Sequence, residues 1–155
     1  MEVQEKIKIL YVDDEVSNLN TFKVTFRKDY DILVANSAKE GLEVLKENDV
    51  HIIITDQRMP EVTGVEFLES AITDYPDPIR MLLTGYSDIE AVVNAINNGH
   101  IYSFISKPWN VKEMKVFIEN AYEVYHLREE KLKLINKLVK ANNQLEFILR
   151  QRLIS

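Results

Sequence analysis

Short runs of apolar, β-branched residues alternate with segments of helical periodicity over the first 109 residues, and this alternation limits the fold more than any other feature. Several runs are apolar without interruption, as in strands that helices cover on both faces of a sheet. The pattern predicts five strands, at residues 7–12, 30–35, 51–55, 79–84 and 101–106. We therefore expect an α/β fold with a doubly wound parallel sheet.

Helix boundaries are also marked in the sequence. Ser37 with Glu40 and Ser87 with Glu90 have the S-x-x-E spacing of a capping box, which predicts the starts of the second and fourth helices. Gly99 is placed to end the fourth helix just before the fifth strand.

The segment after Asn110 contains no glycine, no proline and no strand pattern. It predicts one helix of about 40 residues, which at 1.5 Å per residue is roughly 60 Å long and must project from a domain of this size. We therefore expect a compact domain at residues 5–125 and an extended helix at 126–155, acting as a dimerisation or linker segment.

Two seven-residue repeats can be drawn along this helix, where a and d denote the two apolar positions of each heptad. The first seam has Ile135, Asn142 and Leu149 at a and Leu138 and Leu145 at d. The second seam shares Leu138 and Leu145 but uses Leu134, Ala141 and Ile148. A single dimer seam, a bundle of more than two helices and two packings related by a rotation all remain open. Whether the paired helices would be parallel or antiparallel is open as well.

Composition excludes several classes of protein. The chain has no cysteine, so disulfides, thiol nucleophiles and cysteine-ligated metals are impossible. No apolar run approaches the roughly 20 residues that span a bilayer, and the N-terminus lacks a signal-peptide core, so we expect a cytoplasmic protein without membrane contact. The net charge is −6, and the body before residue 126 carries a larger acidic excess that disfavours direct nucleic-acid binding.

Four of the five predicted strands end in, or are directly followed by, polar residues that could bind a ligand or react with one. They are Asp13, Asp14, Asp56, Thr84 and Lys107. In a parallel α/β sheet ligands bind at the carboxyl ends of the strands, so these side chains should converge. Converging carboxylates repel one another unless a cation such as Mg²⁺ lies between them, and a lysine and a hydroxyl could then hold a phosphoryl group transferred to Asp56.

Alternative interpretations use the same residues. Each aspartate alone could be a helix cap or turn residue, and only their joint occurrence favours a site. A Mg²⁺-dependent phosphohydrolase could use Asp56 as its nucleophile, but Arg58 stands where a second general acid is expected. A coiled-coil adaptor that needs no phosphorylation is the other alternative.

Four motifs, at residues 9–15, 54–60 with Gly64, 82–85 and 104–109, resemble the receiver domain of two-component response regulators. The resemblance implies a flavodoxin-like sheet of order 2-1-3-4-5. It also implies a signalling module that is not an enzyme acting on a separate substrate. A sensor histidine kinase or phosphotransfer protein would donate the phosphoryl group.

Residue roles follow from the same resemblance. Asp56 would accept the phosphoryl group, and Asp14 and Asp56 would bind Mg²⁺ directly, with Asp13 acting mainly through water and the backbone carbonyl of Arg58 as a further ligand. Lys107, aimed by a cis bond to its proline, would contact the phosphoryl oxygens.

The resemblance also predicts how a signal leaves the site. Thr84 would move onto the phosphate together with Phe104, the switch aromatic, and would bias a dimerising C-terminal helix that leads to an effector domain or protein. Two large residues, Arg58 and Tyr86, occupy positions that tune the lifetime of the phosphoryl group, and we expect them to hinder the hydrolytic water.

Overall fold

The computed structural model describes residues 5–154, apart from the side chain of Tyr86, and shows a five-stranded parallel sheet. The strands are β1 (Lys8–Val12), β2 (Asp31–Ala35), β3 (Ile52–Asp56), β4 (Ile79–Thr84) and β5 (Ser103–Ser106). Their order is β2-β1-β3-β4-β5, and every neighbouring pair is parallel. The predicted fold class is confirmed.

Helices cover both faces of this sheet. They are α1 (Val16–Phe26), α2 (Ala38–Glu47), α3 (Gly64–Asp74), α4 (Ile89–Asn97) and α5 (Val111–Ile154), with a 3₁₀ turn at Tyr86–Asp88 before α4. Successive strand residues point to opposite faces, so Ile9 belongs to the core cluster that α1 and α5 cover, while Leu10 belongs to the cluster that α2, α3 and α4 cover. Both faces of the central strands are therefore buried, which explains their uninterrupted apolar runs.

One of the two predicted helix starts is wrong. The Ser37 hydroxyl accepts a hydrogen bond from the backbone N–H of Glu40 at 3.1 Å, as expected of a cap. Ser87 instead lies within the 3₁₀ turn, and α4 follows Asp88, which makes no side-chain cap. The Ser87 hydroxyl accepts a hydrogen bond from the guanidinium of Arg58 at 2.6 Å, a contact between distant parts of the chain that local spacing cannot reveal.

Strand β5 begins two residues later than predicted because α4 ends in a Schellman motif. Gly99 has φ of 77° and donates its N–H to the carbonyl of Ile96, while His100 donates to Ala95. These bonds hold residues 99–100 in the helix terminus, so pairing with β4 starts only at Ser103. Gly99 thus ends α4 as predicted, since the left-handed conformation favours glycine.

Helix α5 has 44 residues and is about 66 Å long at 1.5 Å per residue. Met114, Ile118 and Ala121 bury its first turns against the sheet, whereas the helix is almost wholly exposed from Leu127 onward. The prediction of a single long helix is confirmed, although the predicted last residue, Ser155, lies outside the described residues. The division at residues 125 and 126 stays a prediction. None of the described helices is both long enough and apolar enough to cross a membrane.

His51, just before β3, predicts a pH-dependent stability. Its Nδ1 accepts the backbone N–H of Lys8 at 2.9 Å, and its ring meets those of Tyr122 and Tyr125 on α5 with centroids 5.2 and 4.9 Å apart. Burial, more than the nearby charges, lowers the pKa of His51 below its value in the unfolded chain. The fold therefore favours neutral His51, and the stability that this contributes is complete above about pH 6.5 and is lost progressively as the pH falls below that value.

We expect the unfolding free energy to fall between pH 7.5 and pH 5.5 by more in the wild type than in His51→Asn, whose amide oxygen can still accept a hydrogen bond. The difference should be about 1 kcal/mol, because protonation of Nδ1 removes one hydrogen bond. Urea unfolding at both pH values measures it, with the exposed His126→Asn as the control. An equal loss in wild type and His51→Asn would contradict the assignment.

Candidate functional site

Three carboxylates meet at the carboxyl edge of the sheet. Strands β1 and β3 are direct neighbours, with Val12 paired to Thr55, so the residues that follow them lie side by side. Asp13 and Asp14 follow β1, and Asp56 is the last residue of β3. Carboxylate oxygens of all three residues lie within 4.8 Å of one another. The structure thus brings together the acids that the strand ends predicted.

The three acids differ in their surroundings. Asp13 is fully buried, and both of its oxygens are held: it accepts hydrogen bonds from the hydroxyl of Tyr11 at 2.9 Å, the backbone N–H of Glu15 at 2.9 Å and the amide of Asn18 at 3.1 Å. The carboxylate of Asp14 is exposed to solvent. Asp14 is therefore open to an incoming cation, whereas Asp13 is occupied by protein donors.

Opposing effects act on the Asp56 carboxyl. Burial raises its pKa most strongly, the ammonium of Lys107 lowers it, and the charges of Asp13 and Asp14 raise it again. The net shift is upward, chiefly because the carboxyl group is buried. Hard carboxylate oxygens in this number are the ligands that Mg²⁺ takes in proteins, and the residues present fit that ion.

Lys107 reaches the cluster from the end of β5. Its backbone N–H donates to the carbonyl of Thr84 at 3.0 Å, and its Nζ forms an ion pair with Oδ1 of Asp56. The bond between Lys107 and Pro108 is cis, as the resemblance implied. The predicted lysine therefore contacts the predicted acceptor directly.

Thr84 and Phe104, the residues expected to act as the switch, lie on neighbouring strands. Thr84 is buried at the end of β4, and its hydroxyl donates to the carbonyl of Gly85 at 3.0 Å. Phe104 pairs with Leu82 across the sheet and is half-buried. Phe104 also lines a groove of about 670 Å³ together with Val116 and Phe117 of α5. Phe104 therefore lies beside the first turns of α5.

The loop after β3 is tied to α3 by Gln57. The Gln57 carbonyl accepts the N–H of Gly64 at 3.0 Å, and its side-chain oxygen accepts the N–H of Val65 at 2.9 Å. The backbone N–H of Gln57 donates to Leu83 on β4 at 3.0 Å. Asp56 is thus followed by a residue whose backbone and side chain are hydrogen-bonded to both β4 and α3.

Arg58 connects the loop after β3 to the 3₁₀ turn before α4. Its Nε lies 3.2 Å from a carboxylate oxygen of Asp88, and its guanidinium also donates to Ser87. The side chain is 72% exposed, so it bridges the loop after β3 to the 3₁₀ turn from the solvent side. The Tyr86 side chain, which was also expected to tune the site, lies outside the described part of the structure.

Two supporting residues were missed by the sequence reasoning. Tyr11 and Asn18 both donate to Asp13, and the Tyr11 ring stacks on Phe22 with centroids 4.1 Å apart. The signal for Tyr11 was available, because residues two apart in a strand point to the same face. Asn18 offered no such signal, since its position depends on how α1 leaves the sheet.

The fold and the site together define a flavodoxin-like α/β domain whose strand ends carry an acidic cluster paired with a lysine. The family model for the response regulator receiver domain matches residues 9–119. The chain therefore belongs to the receiver domains of response regulators, which are signalling modules that accept phosphorylation and bind Mg²⁺ at an acidic pocket.

Individual relatives agree with this family. The hydrogenase transcriptional regulatory protein HoxA of Bradyrhizobium diazoefficiens is 36% identical over 122 residues, which are 79% of this chain and 25% of HoxA. The chain thus spans about a quarter of the length of the curated relatives it matches.

Solved structures extend the comparison. A structure described as adenylate cyclase from Rhodopirellula baltica has a TM-score of 0.82 and 32% identity, over 85% of this chain and 98% of that one. The signal receiver domain of an HD domain-containing protein from Pseudomonas fluorescens has a TM-score of 0.76 and 30% identity, over 84% and 96%.

Proposed function

We propose that this chain accepts a phosphoryl group onto Asp56 from a sensor histidine kinase or phosphotransfer protein in a Mg²⁺-dependent reaction. The observation that carries the proposal is the meeting of Asp13, Asp14 and Asp56 with Lys107 at one edge of the sheet. Asp56 is the acid of this cluster that Lys107 contacts, and it ends the central strand β3.

The reaction transfers a phosphoryl group from the donor, which is the leaving group, to the Asp56 carboxylate, which is the nucleophile. An oxygen of the Asp56 carboxylate attacks phosphorus, the bond from phosphorus to the donor nitrogen or oxygen breaks, and the donor leaves with that electron pair. The product is an acyl phosphate, and water later cleaves it to phosphate and the free carboxylate. Lys107 stabilises the charge on the phosphoryl oxygens during transfer.

Asp14 and Asp56 would hold Mg²⁺ directly, with the backbone carbonyl of Arg58 as a third protein ligand. Asp13 acts mainly through water, which fits the three protein donors that already occupy its oxygens. The ion supplies positive charge that offsets the repulsion between carboxylate and phosphoryl group.

The signal then passes through Thr84 and Phe104 to α5. Thr84 exchanges its bond with the Gly85 carbonyl for one with the phosphoryl group, and Phe104 rotates with it beside the groove that α5 helps to form. The helix dimerises with a second copy and relays the change to an effector domain or protein in the cytoplasm. Arg58 and Tyr86 slow loss of the phosphoryl group by hindering water.

The test combines mass and size. We expect Mg²⁺ with a small-molecule phosphodonor to add a single phosphoryl group to the intact chain, and light scattering after size-exclusion chromatography should show a change in oligomer mass or shape. A chain that gains no phosphoryl group would favour the coiled-coil adaptor. Continuous release of phosphate from a phosphate ester, without a lasting adduct, would favour the phosphohydrolase.

Mg²⁺ binding can be followed through Trp109, the single tryptophan. A cavity of about 380 Å³ lies beside it and is lined by Asp13 and Lys107 as well. We expect Asp14→Asn to weaken Mg²⁺ binding, measured by the fluorescence of Trp109, by about tenfold or more, because a direct ligand loses its charge.

Asp31→Asn is the matched control. Asp31 is exposed and begins β2, so it lies at the amino ends of the strands, away from the acidic cluster at their carboxyl ends. Its titration should overlay that of the wild type. Unchanged Mg²⁺ affinity in Asp14→Asn would show that Asp14 is not a ligand.

A further inference from the structure

The second half of α5 is an apolar surface without a partner in the described chain. From Leu127 onward large apolar side chains are exposed, among them Leu134 at 61%, Leu138 at 69% and Leu145 at 54%. A single helix cannot bury such residues, and patches of this kind mark interaction surfaces. The sequence left two seams open on it, and the receiver domain distinguishes between them.

The first seam runs into the core of its own domain. Continued toward the N-terminus in steps of seven, its a positions fall on Arg128, Ala121 and Met114. Ala121 and Met114 are fully buried against the sheet. Arg128 lies close enough to the buried guanidinium of Arg80 to lower its pKa, although burial lowers it more. A partner helix on this face would compete with the receiver itself.

Both seams include Phe117 and Val124, which are partly buried and pack against that core. The second seam, however, avoids the fully buried Met114 and Ala121.

In the second seam Leu138 and Leu145 occupy a, and Leu134, Ala141 and Ile148 occupy d. Its d positions continue from Leu134 back to Leu127 and Asn120, and both of these are exposed. Val116 lies eleven residues before Leu127 and eighteen before Leu134, which are close to three and five turns of helix. All three therefore share one face of α5, and Val116 borders the groove beside Phe104.

The second seam is also the more apolar of the two. Between residues 124 and 149 the first seam places Arg128, Lys131 and Asn142 in its core. Over the same turns the second seam includes only one polar residue, Lys131. Long lysine stems can lie along an apolar seam with the charge in water, so this single exception is tolerated.

A second copy of the chain fits this seam in the parallel direction. Position g directly precedes a, and position e directly follows d. In a parallel pair, position g of one helix faces position e of the other helix five residues later. Glu123 of one copy then faces Arg128 of the second copy, and Glu130 flanks Lys131 across the seam. These opposite charges favour the parallel pair.

We infer that α5 pairs in parallel with α5 of a second copy through the second seam, formed by Leu127, Leu134, Leu138, Ala141, Leu145 and Ile148. The inference rests on the proposed dimerisation and not on phosphoryl transfer. Because the seam continues along the face that carries Val116, it leads directly to the groove beside the switch aromatic.

Single cysteines test the seam cleanly because the chain has none of its own. We expect Leu134→Cys and Ala141→Cys to form disulfide-linked dimers about tenfold faster under mild oxidation than Ile135→Cys and Asn142→Cys, since only seam positions bring Cα atoms within bonding distance. Asn143→Cys lies on the opposite side of both seams and measures random collision.

Each other outcome overturns the inference. Faster linkage at residues 135 and 142 would establish the first seam. If all four seam variants link no faster than Asn143→Cys although the sample is dimeric, the interface is antiparallel or lies elsewhere. If they link no faster and the sample is monomeric, α5 does not pair. Phosphorylation of the same variants by a small phosphodonor, read by intact mass, separates failure of the seam from failure of the receiver chemistry.

Discussion

Asp56→Asn is expected to abolish phosphorylation completely. The amide has no carboxylate oxygen to attack phosphorus, and no other acid of the cluster is paired with Lys107 in the described structure. Incubation with Mg²⁺ and a small phosphodonor should therefore leave the intact mass unchanged, while the wild type gains one phosphoryl group. The same variant should lose any change of oligomer mass that phosphorylation causes.

Asp74→Asn provides the matched control, because it makes the same chemical change at an exposed position at the end of α3. It should be phosphorylated like the wild type. A phosphoryl adduct on Asp56→Asn would show that another side chain is the acceptor, and peptide mapping would then identify it.

Gly64→Ala is expected to disturb both stability and the site. A Cβ at Gly64 would lie 2.3 Å from the carbonyl oxygen of Asp56 and 2.8 Å from a side-chain carbon of Leu82. The clash is with the backbone of Asp56, which cannot rotate aside as a flexible side chain can. The start of α3 must therefore move away from Asp56. We expect the unfolding free energy to fall by about 1–3 kcal/mol, as overpacking does elsewhere, and phosphorylation to slow as well.

Gly85→Ala separates this steric effect from the general effect of replacing glycine. Apart from Gly85 itself and its two chain neighbours, no atom of the described residues lies within 4 Å of a Cβ placed at Gly85, and its φ of −88° suits any residue. Its unfolding free energy should stay within about 0.5 kcal/mol of the wild type. Urea unfolding of both variants measures the difference, and equal losses would contradict the close approach at Gly64.

Local patterns predicted the elements of the fold well because strand and helix periodicity are local properties. The end of β4 and the helix stop at Gly99 agree with the structure. The start of β5 was placed too early at Ile101, which looks like a strand residue because it is buried. Its burial comes from packing beside α4, and a terminal turn of that helix delays the strand.

The candidate site was predictable for a different reason. In a parallel sheet the carboxyl ends of all strands lie at one edge, so residues that follow strands meet whatever the loops do. Asp13, Asp56 and Lys107 can thus be grouped from the sequence alone. Ser87 cannot, since its actual partner, Arg58, reaches it from the loop after another strand.

Periodicity and strand order alone predict the parallel sheet, the convergence of Asp13, Asp14 and Asp56, and the length of α5. The tertiary structure alone decided which face of α5 is free. Both seams of the helix are present in the sequence, but burial of Met114 and Ala121 against the sheet removes the continuation of the first. A partner can pack only against the face of a helix that the helix's own domain leaves exposed.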